Sequence, residues 1–188
     1  MRNTLLAISA LTLPACGPSL GEYEVVDLSV VGDLPDAIRS SREAEPYLRI
    51  ELRSQFDLVA DTNGNIYPFK VSCSTPGDDR RMVFGPLTGG EPSLDLLDAE
   101  PAMDRDANGM AHYVIFVRVT APAELPYANS DVFEPAHDLA NMTEDLCLEI
   151  SQAGYFLTPS RSRMIRISPE EIAAALEQAG DAQITTAG

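Results

Sequence analysis

Tryptophan is absent from the 188 residues, and aromatic side chains of all kinds make up 6%. A groove that stacks sugar rings on aromatic faces is therefore disfavoured. Only two histidines are present, His112 and His137, whereas zinc usually draws several ligands from histidine and cysteine. Basic residues are scarce too: 13 Lys+Arg stand against 29 Asp+Glu, a net charge of −16, and Lys70 is the single lysine. Such a surface repels phosphate backbones, which argues against nucleic acid as a partner. Its plain consequence is a solvated acidic surface that keeps the chain soluble; its more specific one is attraction for cations or basic proteins. No G-x-S-x-G elbow, P-loop, G-x-G-x-x-G or H-E-x-x-H occurs, and no period of 20–50 residues marks a solenoid.

What is present begins at the N-terminus. Arg2 supplies one positive charge, Leu5 to Leu13 form an apolar run broken by Ser9 and Thr12, and Leu13-Pro14-Ala15-Cys16 follows. The run is too short for a membrane-spanning helix of about 20 residues, and the division matches a secretory signal. The alternative is a buried N-terminal strand ending in cysteine. Leu13-Pro14-Ala15-Cys16 resembles the lipobox of bacterial lipoproteins. That resemblance implies cleavage before Cys16 and acylation of the new terminus, with residues 1–15 a signal peptide and 16–22 a lipidated tether. The chain would sit in the cell envelope, and Gly17, in place of Asp, favours the outer membrane facing the periplasm. More than one acyl chain, palmitate included, makes such anchoring stable.

Removal of 15 residues leaves 173, the size of one domain, expected over 23–180 with a frayed tail at 181–188. Apolar residues at 45% suffice for a packed core. With Cys16 acylated, Cys73 and Cys147 remain as an even pair in an oxidising compartment, where a disulfide is expected. The alternatives are two buried thiols or a catalytic thiol, and no histidine base lies near either in sequence.

Tyr23 to Val31 is rich in β-branched residues and reads as a strand. Asp33-Leu34-Pro35 opens a short helix near 35–45. Leu48, Ile50 and Leu52 alternate with Arg49, Glu51 and Arg53, the pattern of a half-buried strand. The run DTNGN at 61–65 reads as a turn into a strand over Ile66–Cys73, so the two strands are expected to form a hairpin. A Pro-, Gly- and Asp-rich stretch from 74 to 109 suggests function or short hidden strands. His112 to Thr120 is apolar on both faces, as a central strand is. Irregular sequence at 121–144 precedes closing strands at 146–150, 155–157 and 163–167. Ser168-Pro169-Glu170-Glu171 forms a capping box for a helix that Gly180 should stop.

These signals predict a mainly β chain: an antiparallel β-sandwich, immunoglobulin-like or related, with a short C-terminal helix; the alternative is α+β. Alternation puts Cys147 with Glu149, opposite Leu146, Leu148 and Ile150, so the bridge is expected to tie an edge rather than fill the core.

Two constellations carry possible chemistry. Asp104, Asp106, Asn108 and Gly109 form a D-x-D-x-N-G run, whose alternate oxygens suit calcium. It resembles the first half of an EF-hand loop, but the twelfth position is Ile115 and a strand follows, so the other reading is an Asn-Gly hairpin turn. Asp131, Glu134, His137 and Asp138 form a second cluster, which reads more simply as a solvated loop. The resulting expectation is a lipid-anchored, non-enzymatic binding or structural module with no assigned catalytic residue. It needs no cofactor beyond possible calcium, and its partners are a membrane and a basic envelope protein. The alternatives are a calcium-stabilised interaction domain and a hydrolase using loop carboxylates or His137.

Overall fold

The computed structural model describes residues 19–35, 46–62, 65–75, 80–88, 105–119, 139–152 and 159–186. The signal segment, Cys16, all but the first residue of the helix expected near 35–45, Asp104, the cluster at 131–138 and the strand expected at 155–157 lie outside them. Two antiparallel sheets pack face to face, and the chain is mainly β. One sheet has the order β1-β2-β6-β5, built from β1 (Glu24–Val31), β2 (Tyr47–Ser54), β5 (Phe84–Thr88) and β6 (Ala111–Arg118). The other has the order β4-β3-β7-β8, from β3 (Ile66–Lys70), β4 (Arg81–Met82), β7 (Leu146–Gln152) and β8 (Ser160–Arg161). A ninth strand, β9 (Ile165–Ile167), also pairs with β7.

Period-two patterning explains the register. Leu48, Ile50 and Leu52 of β2 stand opposite Val117, Ile115 and Tyr113 of β6, and all six are buried in the principal core. Leu146, Leu148 and Ile150 face them from the other sheet. Val114 and Phe116, on the other face of β6, are buried as well, because they join Tyr47, Leu87 and Leu34 in a smaller cluster on the outer face. That second cluster is why this strand carries apolar residues on both faces.

The expected hairpin between the 47–52 and 66–73 strands does not form. β2 pairs with β1 and β6, whereas β3 pairs with β4 and β7 in the opposite sheet. The turn between them therefore carries the chain from one sheet to the other, and β3 ends at Lys70. In the stretch read as irregular, β4 and β5 appear, with Val83 and Leu87 buried.

The capping box forms as the sequence predicts. Glu171 N–H donates to Ser168 Oγ at 3.3 Å, and Ser168 N–H donates to Glu171 Oε2 at 2.8 Å. Helix α1 (Pro169–Thr186) follows and packs Ile172 and Ala175 into the core beside β1. It runs through Gly180 rather than stopping there, so the expected frayed tail is helical to Thr186. A helix stop by glycine needs a left-handed residue. Gly180 stays right-handed, and flanking Ala and Gln residues sustain the helix. Among the described residues, no helix is long and apolar enough to cross a membrane.

Candidate functional site

A cleft of about 690 Å³ opens at one end of the sandwich, lined by Gly21–Glu24, Arg53–Phe56, Asp61 and Met110. This is the end where β1 starts, β2 ends and β6 starts, so three chain segments converge there. Its volume lies in the range of small-molecule sites.

The floor is the crossing turn after β2. Asp57 is buried, and its Oδ1 accepts the amide protons of Val59 and Ala60, each at 3.0 Å. Asp61 N–H closes the turn on Asp57 O at 2.8 Å, and Asp61 Oδ2 accepts Asp57 N–H at 3.1 Å. Tyr113 holds this turn against β6: its hydroxyl accepts Leu58 N–H at 2.8 Å and donates to Phe56 O at 3.1 Å. Burial raises the Tyr113 phenol well above its usual value, so it stays protonated. Tyr23 crosses Tyr113 edge-on, with ring centroids 5.8 Å apart. Its buried hydroxyl has no hydrogen-bond partner among the described residues, and burial raises its pKa as well.

The rim is a hairpin over 105–111. Asp106 N–H donates to Met110 O at 3.0 Å, and Gly109 N–H donates to Asp106 O at 2.8 Å. Asp106 Oδ1 accepts from Asn108 N–H at 2.8 Å and Met110 N–H at 2.9 Å. Gly109 supplies the positive φ of 76° that the reversal requires. The Met110 amide, first among several donors, holds the Asp106 carboxyl below the usual carboxylate range. Of the three expected calcium ligands, Asp104 lies outside the described residues, Asn108 is exposed, and Asp106 Oδ1 organises the turn. Among the described residues, no group of three or more His, Cys, Asp or Glu side chains could hold a metal ion.

Four described carboxylates around the cleft have basic partners. Arg105 Nη2 lies 3.1 Å from Asp57 Oδ2, and Nη1 donates to Gly109 O at 2.7 Å. Arg53 grips Glu24 with two bonds of 2.8 Å, which hold the Glu24 carboxyl below its ordinary range. Arg163 pairs with Glu22, and His112 Nε2 stands 3.3 Å from Asp106 Oδ2. The cleft thus offers paired carboxylates and guanidiniums, with Tyr23, Phe56 and Met110 as its apolar wall.

The disulfide lies at the opposite end. Cys73 and Cys147 are bonded, with Cα atoms 5.4 Å apart. Cys147 lies outside the apolar core, as alternation predicts, but the bridge does not tie an edge. Its strand is flanked by β3 on one side and β9 on the other, and Cys147 is fully buried. The pairing of β9 made β7 an interior strand, and local alternation carries no information about that neighbour. Arg166 crosses the bridge, donating to Cys73 O at 3.1 Å and reaching Asp145 at 3.4 Å.

Sequence reading missed Tyr23, Arg53, Asp57, Arg105 and Tyr113. A usable signal existed for Tyr113, since alternation aligns it with Ile115 and Val117 and an inward tyrosine needs a partner for its hydroxyl. Nothing local ties Asp57 to Arg105, 48 residues away. Comparison with known proteins gives no match: no family model, no curated protein and no solved structure matches the chain.

Proposed function

We propose that the protein is a lipid-anchored component of a bacterial envelope whose β-sandwich serves as a non-enzymatic binding module for a basic protein partner. The observation that carries this reading is the bond between Cys73 and Cys147. It supports an oxidising compartment and leaves Cys16 as the remaining cysteine of the three, within the lipobox-like Leu13-Pro14-Ala15-Cys16. The net charge of −16 favours a cationic partner. Metabolic labelling with an alkyne fatty acid tests the anchor: label on the wild type, and neither label nor membrane retention for Cys16→Ser, is the expected result. Crosslinking in the native cell tests the module, with a basic envelope protein the expected product and an uncharged or acidic one counting against it.

A further inference from the structure

The first described residues are already part of the folded body. Ser19 pairs in parallel with Arg161, Leu20 N–H donates to Arg161 O at 2.9 Å, and Arg163 N–H donates to Gly21 O at 2.9 Å. The Leu20 side chain is 2% exposed and belongs to the principal core. Gly21 has φ +86°, and a Cβ there would stand 2.6 Å from Phe56 Cβ, so the segment is also clamped by the crossing turn. The tether expected over 16–22 therefore shrinks. Only Gly17 and Pro18 separate Cys16 from Ser19, a covalent reach of about 10–11 Å at full extension. The polar layer on each side of a bilayer is itself about 5–7 Å thick.

The direction of exit follows from the pairing. Ser19–Gly21 runs parallel to 161–163, towards the disulfide end, and then leads into β1. Ser19, the first described residue, thus enters this pairing from the side of the cleft, the crossing turn and the 105–111 hairpin. On the acylated-Cys16 reading, on which this rests, we infer that this end of the sandwich lies against the lipid headgroups and the Cys73–Cys147 end points away. The partner of this surface is the bilayer.

Charge is consistent with that contact. In a chain of net −16, Glu22, Glu24, Asp57 and Asp106 at this end each have a basic partner, namely Arg163, Arg53, Arg105 and His112. Asp61 is engaged by a backbone amide. The Arg163 side chain is 75% exposed, and a guanidinium can exchange a carboxylate for a lipid phosphate without losing its paired geometry.

The test uses the full acylated chain in phosphatidylcholine–phosphatidylglycerol vesicles that carry a headgroup-attached quencher. One fluorophore is attached at Asn108→Cys, on the exposed hairpin, and another at Gly32→Cys, at the far end of β1, where an added Cβ meets nothing. Eight-residue β1 separates the two ends by about 26 Å. The expected result is quenching severalfold stronger at 108 than at 32. A Gly-Ser segment of about 20 residues inserted after Pro18, with a reach of about 25 Å, should reduce quenching at 108 to near the level at 32. Equal quenching at both sites in the acylated protein overturns the orientation and leaves the anchor standing. Quenching at 108 that survives the insertion overturns the short tether as its cause. A wild-type chain that acquires no lipid overturns the anchor and, with it, this inference.

Discussion

At the residue scale, the two tyrosines beside the cleft are a matched pair with opposite expectations. The Tyr113 hydroxyl satisfies Leu58 N–H and Phe56 O. Tyr113→Phe leaves both without that partner and should lower unfolding free energy by about 1–3 kcal/mol, read as a lower urea midpoint at unchanged slope. The Tyr23 hydroxyl has no partner among the described residues, so Tyr23→Phe removes a buried polar atom without breaking a bond. It should leave stability unchanged or raise it, and a loss as large as that of Tyr113→Phe would contradict this account. Asp106 adds a pH dependence. Hydrogen bonds to Met110 and Asn108 depress its folded pKa, so the unfolded chain binds the proton more readily. Its contribution is fully present above the ordinary carboxylate value of about 4 and disappears as pH falls through the lower folded value. Stability of Asp106→Asn should accordingly fall less than wild type between neutral and strongly acidic pH, measured by urea unfolding across that range. Alternation was enough to put Tyr113 inside, but its partners come from a turn 55 and 57 residues away, beyond the reach of any local pattern.

At the element scale, signals confined to a few consecutive residues translated directly, and those requiring a choice of neighbour did not. Ser168 and Glu171 close the capping box because both partners lie within one turn of helix. The β2 and β3 strands were recognisable from composition, yet their proximity in sequence suggested a hairpin where the chain changes sheets. That choice depends on Asp57 and Asp61 shaping a crossing turn and on β6 and β7, supplied much later in the chain, pairing with β2 and β3. The cap gives a test of how far α1 braces the sandwich. Ser168→Ala should cost about 1 kcal/mol, whereas Ser168→Thr, which keeps the hydroxyl that bonds Glu171, should cost less. The Glu171 carboxyl is held below its usual range first by the Ser168 amide, which Ser168→Ala keeps, and then by the Ser168 hydroxyl, which it removes. The cap's contribution is therefore present above about pH 4 and fades as pH drops through the folded value. The deficit of Ser168→Ala relative to wild type should shrink in acid, as followed by helical circular dichroism during urea unfolding.

At the scale of the whole molecule, one covalent link governs regions that barely touch it. The 74-residue separation of Cys73 and Cys147 encloses β4, β5 and β6. It therefore constrains strands of both sheets, although the bridge itself joins neighbours within one. The even pairing was legible from cysteine number once Cys16 was set aside, and the apolar stripes of β2 and β6 made a mainly β chain legible too. What could not be read was that β9 flanks β7 and buries the bridge on an interior strand, because that depends on pairing Ile165–Ile167 with Leu146–Leu148. In the chain-entropy description, closing such a loop contributes about 4–5 kcal/mol by restricting the unfolded chain. Cys73→Ser combined with Cys147→Ser should lower unfolding free energy by that order, and dithiothreitol should bring the wild type to the same value. Because the enclosed loop reaches both sheets, the loss should appear equally in probes on each. If only the β3–β7 sheet loosened while β2–β6 amides kept their hydrogen-exchange protection, the link would be a local staple of one sheet, and the sandwich would owe its cohesion to the apolar interface alone.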